Sequence, residues 1–106
     1  MHADLKQILG ELRKELETLF SDRLVRVMLF GSQARGDAEP GSDIDVLVVL
    51  KGPLDDHAEH ERMSFFLADL SLRNNTVVSC IFMDDDRFFH RQGPLLRNIR
   101  REGIPV

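Results

Sequence analysis

One cysteine, Cys80, is the whole thiol content of this 106-residue chain, so no intramolecular disulfide can form, which suits a reducing compartment. No apolar run approaches the ~20 residues a membrane helix needs. The N-terminus has no basic, then apolar, then small-residue order of a signal peptide, and a cytoplasmic location is expected. Repeats, low-complexity segments and linkers are also missing, so residues 1–106 are read as a single domain. A basic excess is absent too. The formal net charge is −4, and a protein that grips nucleic acid through its phosphates usually carries the opposite sign. Direct nucleic-acid binding is therefore not expected. Arg97, Arg100 and Arg101 are read as a solvated helix end favoured by the macrodipole.

What the chain does contain is an alternation of helical and strand patterns. Leu5, Ile8, Leu9, Leu12, Leu16 and Leu19 recur at helical spacing and predict an amphipathic helix from Ala3 to about Phe20. "RLVRVMLF", Arg23 to Phe30, predicts a strand that Gly31 ends; "GDAEPG" is loop chemistry; Asp43 to Leu50 predicts a second strand, stopped by "KGP". Asp56 and Glu59 have capping-box spacing and open a helix striped by Met63, Phe66, Leu67 and Leu70. Asn74 and Asn75 end it. A third strand runs from Thr76 to Met83, Asp84 to Asp86 cap a following helix, and helical spacing resumes to Leu95, Leu96 and Ile99 before Gly103. "IPV" adds a short edge strand. The alternation predicts an α/β domain (α+β in some schemes) with helices on one face of a small sheet.

Asp43 and Asp45 stand at the mouth of the most hydrophobic segment. Period two places Asp43, Asp45, Leu47 and Val49 on one face and Ile44, Val46, Val48 and Leu50 on the other. A half-exposed strand would need polar residues at Leu47 and Val49, so this strand is read as buried with two carboxylates at its entrance. Their Cβ atoms would lie ~6.6 Å apart. Two carboxylates so placed repel one another unless a cation such as Mg²⁺ neutralises them, usually with substrate phosphates as further ligands. The Gly31-Ser32 turn supplies the complementary half: glycine permits close approach, Ser32 sits where a helix N-cap would lie, and free N–H groups follow. The capping-box position holds Arg35, a cation in a first helical turn, which an incoming anion would satisfy.

"GSQARG" followed by "SDIDVLVV" resembles the signature of the nucleotidyltransferase superfamily that includes DNA polymerase β, and in particular the minimal nucleotidyltransferases. That resemblance implies that Gly31, Ser32, Arg35 and Ser42 contact the nucleotide. It implies that Asp43 and Asp45 are catalytic and bind Mg²⁺ (or Mn²⁺), with ATP as substrate and adenylylation of an acceptor hydroxyl as the reaction. It further implies an antitoxin role beside a HEPN-family partner, the acceptor being presented by that partner or by a homodimer. The family's third carboxylate, on the next strand, has no counterpart here: "NTVVSCIFM" holds no acid, and Ser79 aligns with the position. A binding module with little or no turnover is the competing reading. Because the Gly-Ser turn and the Asp pair must meet, the first two strands are expected to be antiparallel and the third parallel to the second. Asp84 to Asp86 then lie at the wrong end to replace the missing acid, and Asp69 is read as solvated. His57 and His60 lack a third ligand at recognisable spacing, so zinc is not expected. Cys80 is read as a core residue, and Phe88 and Phe89 as core or interface.

Overall fold

A leucine-rich stripe on a polar chain has to be covered by something, and here the cover is a four-stranded sheet. The computed structural model describes residues 3–39 and 42–106; Pro40 and Gly41, the tail of the expected loop, lie outside the described residues. Helix α1 (Ala3–Phe20) leads through a 3₁₀ turn into β1 (Leu24–Phe30), the short α2 (Ser32–Arg35), β2 (Ile44–Leu50) and α3 (Asp56–Asn74). The chain continues through β3 (Val78–Asp84), α4 (Asp85–His90), α5 (Pro94–Glu102) and β4 (Ile104–Pro105). The sheet order is β3-β2-β1-β4, with β1 antiparallel to β2 and β4, and β2 parallel to β3. The expected strand directions hold, because α3 is long enough to carry the chain back for a parallel crossover.

The two faces of β2 are covered by different helices. Ile44, Val46, Val48 and Leu50 join α1 (Leu5, Ile8, Leu12, Leu16) and α3 (Met63, Leu70) in one core. On the other face, Leu47 and Val49 pack with Met28, Met83, Phe88, Leu96 and Ile99 in a second. The expectation of helices on one face is therefore corrected: α4 and α5 fold back over the opposite side. The physical reason is in β2 itself, apolar on both faces and buried on both, as a strand between two helical layers must be. Each fully enclosed leucine, such as Leu12 or Leu47, contributes about 1.5–3 kcal/mol relative to exposure.

The helix ends carry local chemistry. Asp55, one residue before the expected cap, accepts a hydrogen bond from the Ala58 backbone N–H at 3.1 Å and is the true N-cap of α3. Glu59 is released from capping. It is buried instead, paired with Arg23 at 2.8 Å and Arg62 at 3.8 Å, which ties α3 to the start of β1. Asn75 closes α3 in the left-handed region (φ 51°), where asparagine is tolerated. Asp84 accepts from the Arg87 N–H at 2.7 Å and caps α4 as expected. Asp85 accepts from the Gly52 N–H at 3.2 Å, and so also serves the β2–α3 turn.

Candidate functional site

The site stands where β1 ends and β2 begins. Antiparallel pairing sets Phe30 opposite Asp45, so the next residue, Gly31, turns the chain directly beside that carboxylate. Gly31 has φ 78° and ψ −158°, a region essentially reserved for glycine. A Cβ built on it would lie 3.0 Å from Asp45 Oδ2. The glycine therefore has two jobs at once: it makes the turn and it leaves the carboxylate room.

Gly31, rather than Ser32, is the N-cap of α2; Ser32 is the first helical residue, and no side chain caps the turn. This corrects the expected role of Ser32. The Gly31 carbonyl accepts from the N–H groups of Ala34 and Arg35, both at 3.1 Å. The N–H groups of Ser32 and Gln33 come too early in the turn for an intrahelical acceptor.

Asp43 lies just before β2 and is exposed, whereas Asp45 is inside the strand and half-buried. Burial raises the Asp45 carboxyl above its ordinary value, and the nearby charge of Asp43 adds to that rise. The two aspartates are thus electrostatically coupled, as their spacing predicts. Parallel register places Ser79 beside Asp45 on the neighbouring strand. Directly opposed residues share a face, so the residue aligned with the third carboxylate does adjoin the aspartate pair, and it is a serine. Asp84 is in register with Leu50 at the far end of β2, and Asp69 pairs with Arg73 at 2.8 Å in solvent; neither reaches the site.

Ser42 is present through its backbone. Its carbonyl accepts from Gln33 Nε2 at 3.2 Å and Thr76 Oγ1 at 3.1 Å, which pins α2 and the entrance of β3 to the entrance of β2. Gln33 and Thr76 were not singled out by sequence reasoning. Their polarity alone gave no signal, since both partners meet one carbonyl only after folding. Arg35 is exposed and held by Asp37 at 3.2 Å and by Glu102, at the end of α5, at 3.4 Å. Those carboxylates raise its pKa, chiefly through the Asp37 hydrogen bond, so its guanidinium stays charged at the edge of the turn.

Among the described residues no cluster of three or more His, Cys, Asp or Glu could hold a metal ion. The donor set is two carboxylates. Such a set fits Mg²⁺, which retains waters and shares its shell with substrate phosphates, better than a metal held by protein alone. A cleft of about 660 Å³ opens beside Ser42, but its walls include Leu5, Ile8 and Ile44, on the α1 side of the sheet. Asp45 faces the other way.

His60 lies edge-on to Phe82, and both His57 and His60 pair with acids on their own helix. Cys80 is buried, with its thiol pushed up to about 12 by burial. Phe88 is core and Phe89 half-exposed. No helix among the described residues is long and apolar enough to cross a membrane.

Known proteins share this arrangement. A family model described as a nucleotidyltransferase domain matches residues 9–103. A Methanocaldococcus jannaschii protein with the provisional name of protein adenylyltransferase is 35% identical over 78 residues, covering 74% of this chain and 78% of its own length. A crystal structure from Sulfolobus solfataricus, provisionally named a nucleotidyltransferase, superposes with a TM-score of 0.67 at 26% identity over 93% of this chain and 76% of that one. The fold is also that of a chain in the structure of a tri-AMPylated Shewanella oneidensis HEPN toxin in complex with its MNT antitoxin. There the TM-score is 0.59 at 19% identity, covering 94% of this chain and 69% of that one. A turn that only glycine can make against a half-buried aspartate, set in this sheet, with the family model matching residues 9–103, places the protein in the nucleotidyltransferase family.

Proposed function

We propose that this protein is a protein adenylyltransferase that moves AMP from ATP to a hydroxyl of a HEPN-family partner and thereby acts as its antitoxin. The observation that carries the reading is the 3.0 Å approach of the Gly31 Cβ position to Asp45 Oδ2, which joins a glycine turn with early free N–H groups to a neighbouring carboxylate pair. Family membership and the adenylyltransferase name of the Methanocaldococcus relative support the reaction type. The AMPylated toxin of the Shewanella complex supports the acceptor class.

In this reading Gly31, Ser32 and the backbone N–H groups after them receive the terminal phosphates, and Arg35 adds a positive charge at their edge. Asp43 and Asp45 hold Mg²⁺ or Mn²⁺, which when bound neutralises the carboxylates and polarises the α-phosphate. The acceptor oxygen forms a bond to the α-phosphorus, the bond from that phosphorus to the bridging oxygen of the β-phosphate breaks, and pyrophosphate leaves with the electron pair. The hydroxyl proton goes to solvent, since beside Asp45 β3 offers Ser79 and no carboxylate to take it.

Ser79 also favours a second reading, a nucleotide- or HEPN-binding module with little turnover. Purified protein, Mg²⁺, α-labelled ATP and a HEPN protein from the same genome separate the two. Transfer of label that Asp43→Ala abolishes supports the enzyme. Toxin neutralisation without transfer, and unaffected by Asp43→Ala, replaces it with the binding module. Mg²⁺ with ATP is expected to raise the melting temperature in either case, because a ligand selective for the native state stabilises it. No shift at millimolar ligand would sink both nucleotide-based readings and leave HEPN binding alone.

A further inference from the structure

The run Arg87–Arg101 holds five of the chain's fourteen basic residues and none of its eighteen acids. The structure adds a fact the sequence does not show. Arg13, Arg23, Arg35, Arg62 and Arg73 each have a carboxylate partner, and Arg101 has only its chain neighbour Glu102. Among the described residues, Arg26, Arg87, Arg91, Arg97 and Arg100 have none within 4.0 Å. In a protein with net charge −4, the arginines without carboxylate partners gather on one side.

That side is the outer surface of α4 and α5. Arg100 donates to the carbonyls of Phe88 and Arg91, bridging the two helices. The Arg26 guanidinium lies 5.6 Å from the centroid of the Phe89 ring, so β1 extends the patch. Arg87 and Arg91 line one shallow cavity, whose acidic members are Asp84, the α4 cap, and Asp86, which His90 engages at 3.2 Å. Within the patch Phe89 is 50% exposed and Leu95 38% exposed. Arginine with aromatics is the composition of interface centres.

The patch shares a face of the sheet with the site but begins at the other end of β2: Arg26 is in register with Val49, and Asp84, which precedes α4, with Leu50, ~13 Å or more along the strand from Asp45. Helices α4 and α5 pack on Leu47 and Val49, on the face of β2 that Asp45 heads. The last residue of α5, Glu102, reaches Arg35 at the phosphate turn. A partner segment that starts on this surface and runs along α5 to Glu102 would reach the Arg35 turn and the aspartate pair.

We propose that the arginine surface of α4 and α5, extended by Arg26, docks an acidic, apolar-spotted protein segment and so delivers the acceptor hydroxyl to the aspartate pair. The inference rests on the transferase reading of that pair. A protein fits better than RNA, because Phe89 and Leu95 need apolar partners and the acid excess elsewhere repels a long polyanion.

A fluorescent random copolymer of glutamate and tyrosine is the probe: acidic, partly apolar and rich in hydroxyls. Its affinity for the full chain is read by anisotropy, with a short oligo-uridine RNA as the rival, and for variants carrying R87E, R91E and R97E together or R87Q, R91Q and R97Q together. The charge-reversed variant is expected to bind the copolymer at least about tenfold more weakly, the glutamine variant to fall between, and added salt to weaken the wild type. The rise in melting temperature with Mg²⁺ and ATP, measured in parallel, stays unchanged in both variants and shows that they are folded. Equal copolymer binding by all three proteins overturns the proposal, as does tighter binding of the RNA than the copolymer. Failure of the transferase reading is seen separately, as no nucleotide-dependent rise in any of them.

Discussion

Replacing Gly31 with alanine tests the centre of the site with a single methyl group. Its backbone, at φ 78° and ψ −158°, costs a non-glycine residue about 1–3 kcal/mol. In a chain of this length about 1 kcal/mol moves the melting temperature by roughly 4–8 °C, so Gly31→Ala is expected to lower it by about 4–24 °C. The second effect is local: the new Cβ would lie 3.0 Å from Asp45 Oδ2, tighter than ordinary contact, and the carboxylate has to swing away. Asp45→Ala separates the two effects. In that background the contact is gone while the backbone cost stays, so part of the Gly31→Ala loss is expected to disappear, the double-mutant cycle giving the coupling. The assay is thermal unfolding of the four proteins with and without Mg²⁺ and ATP. A ligand at about a hundred times its Kd stabilises by about 2.7 kcal/mol, and Gly31→Ala is expected to forfeit most of that. A variant that melts within about 1 °C of wild type and keeps its full nucleotide response would refute both the turn and its coupling to Asp45.

Three more predictions rest on single residues. Burial and the Asp43 charge raise the Asp45 carboxyl above its ordinary 3.8; the ionised form is therefore less stable in the fold than unfolded, a penalty fully present at neutral pH. Asp45→Asn should melt higher than wild type at pH 7, with the gain shrinking as the pH falls through the raised folded value and vanishing only below 3.8, where both states are protonated; an unchanged gain across that range would contradict the assignment. Ser79→Asp puts a third carboxylate in register with Asp45. It should lower the melting temperature without metal, by up to about 1 kcal/mol of like-charge repulsion, and make Mn²⁺ alone stabilising; a variant indifferent to Mn²⁺ would remove Ser79 from the site. Cys80, buried with its thiol near 12, should resist a thiol reagent at pH 8 until the protein is unfolded, and labelling of the native protein at the unfolded rate would show that β3 opens.

Much of this protein was legible from local pattern. The leucine stripe of α1 marked a helix with the observed ends, Ala3 and Phe20, because amphipathic spacing depends only on residues one turn apart. Period two in β2 placed Asp45 with Leu47 and Val49, the need for a parallel crossover brought the entrance of the third strand to the same end, and the family resemblance singled out Ser79, which stands in register with Asp45. The carboxylate pair, the glycine turn and the serine that stands beside the pair on β3 are therefore properties of the sequence.

Other features needed distant parts of the chain to meet. An apolar second face on β2 demanded a cover, but only tertiary packing made α4 and α5 that cover, since Phe88, Leu96 and Ile99 act through the sheet. Ser32 lost the cap position to Gly31 because a strained turn against Asp45 suits the residue without a Cβ. Arg35 met Glu102, 67 residues away, and the Ser42 carbonyl gathered Gln33 and Thr76. The same holds for the arginine surface. Charge along a sequence counts acids and bases, but which guanidiniums keep a carboxylate partner depends on geometry within 4.0 Å, and only the folded chain sets that.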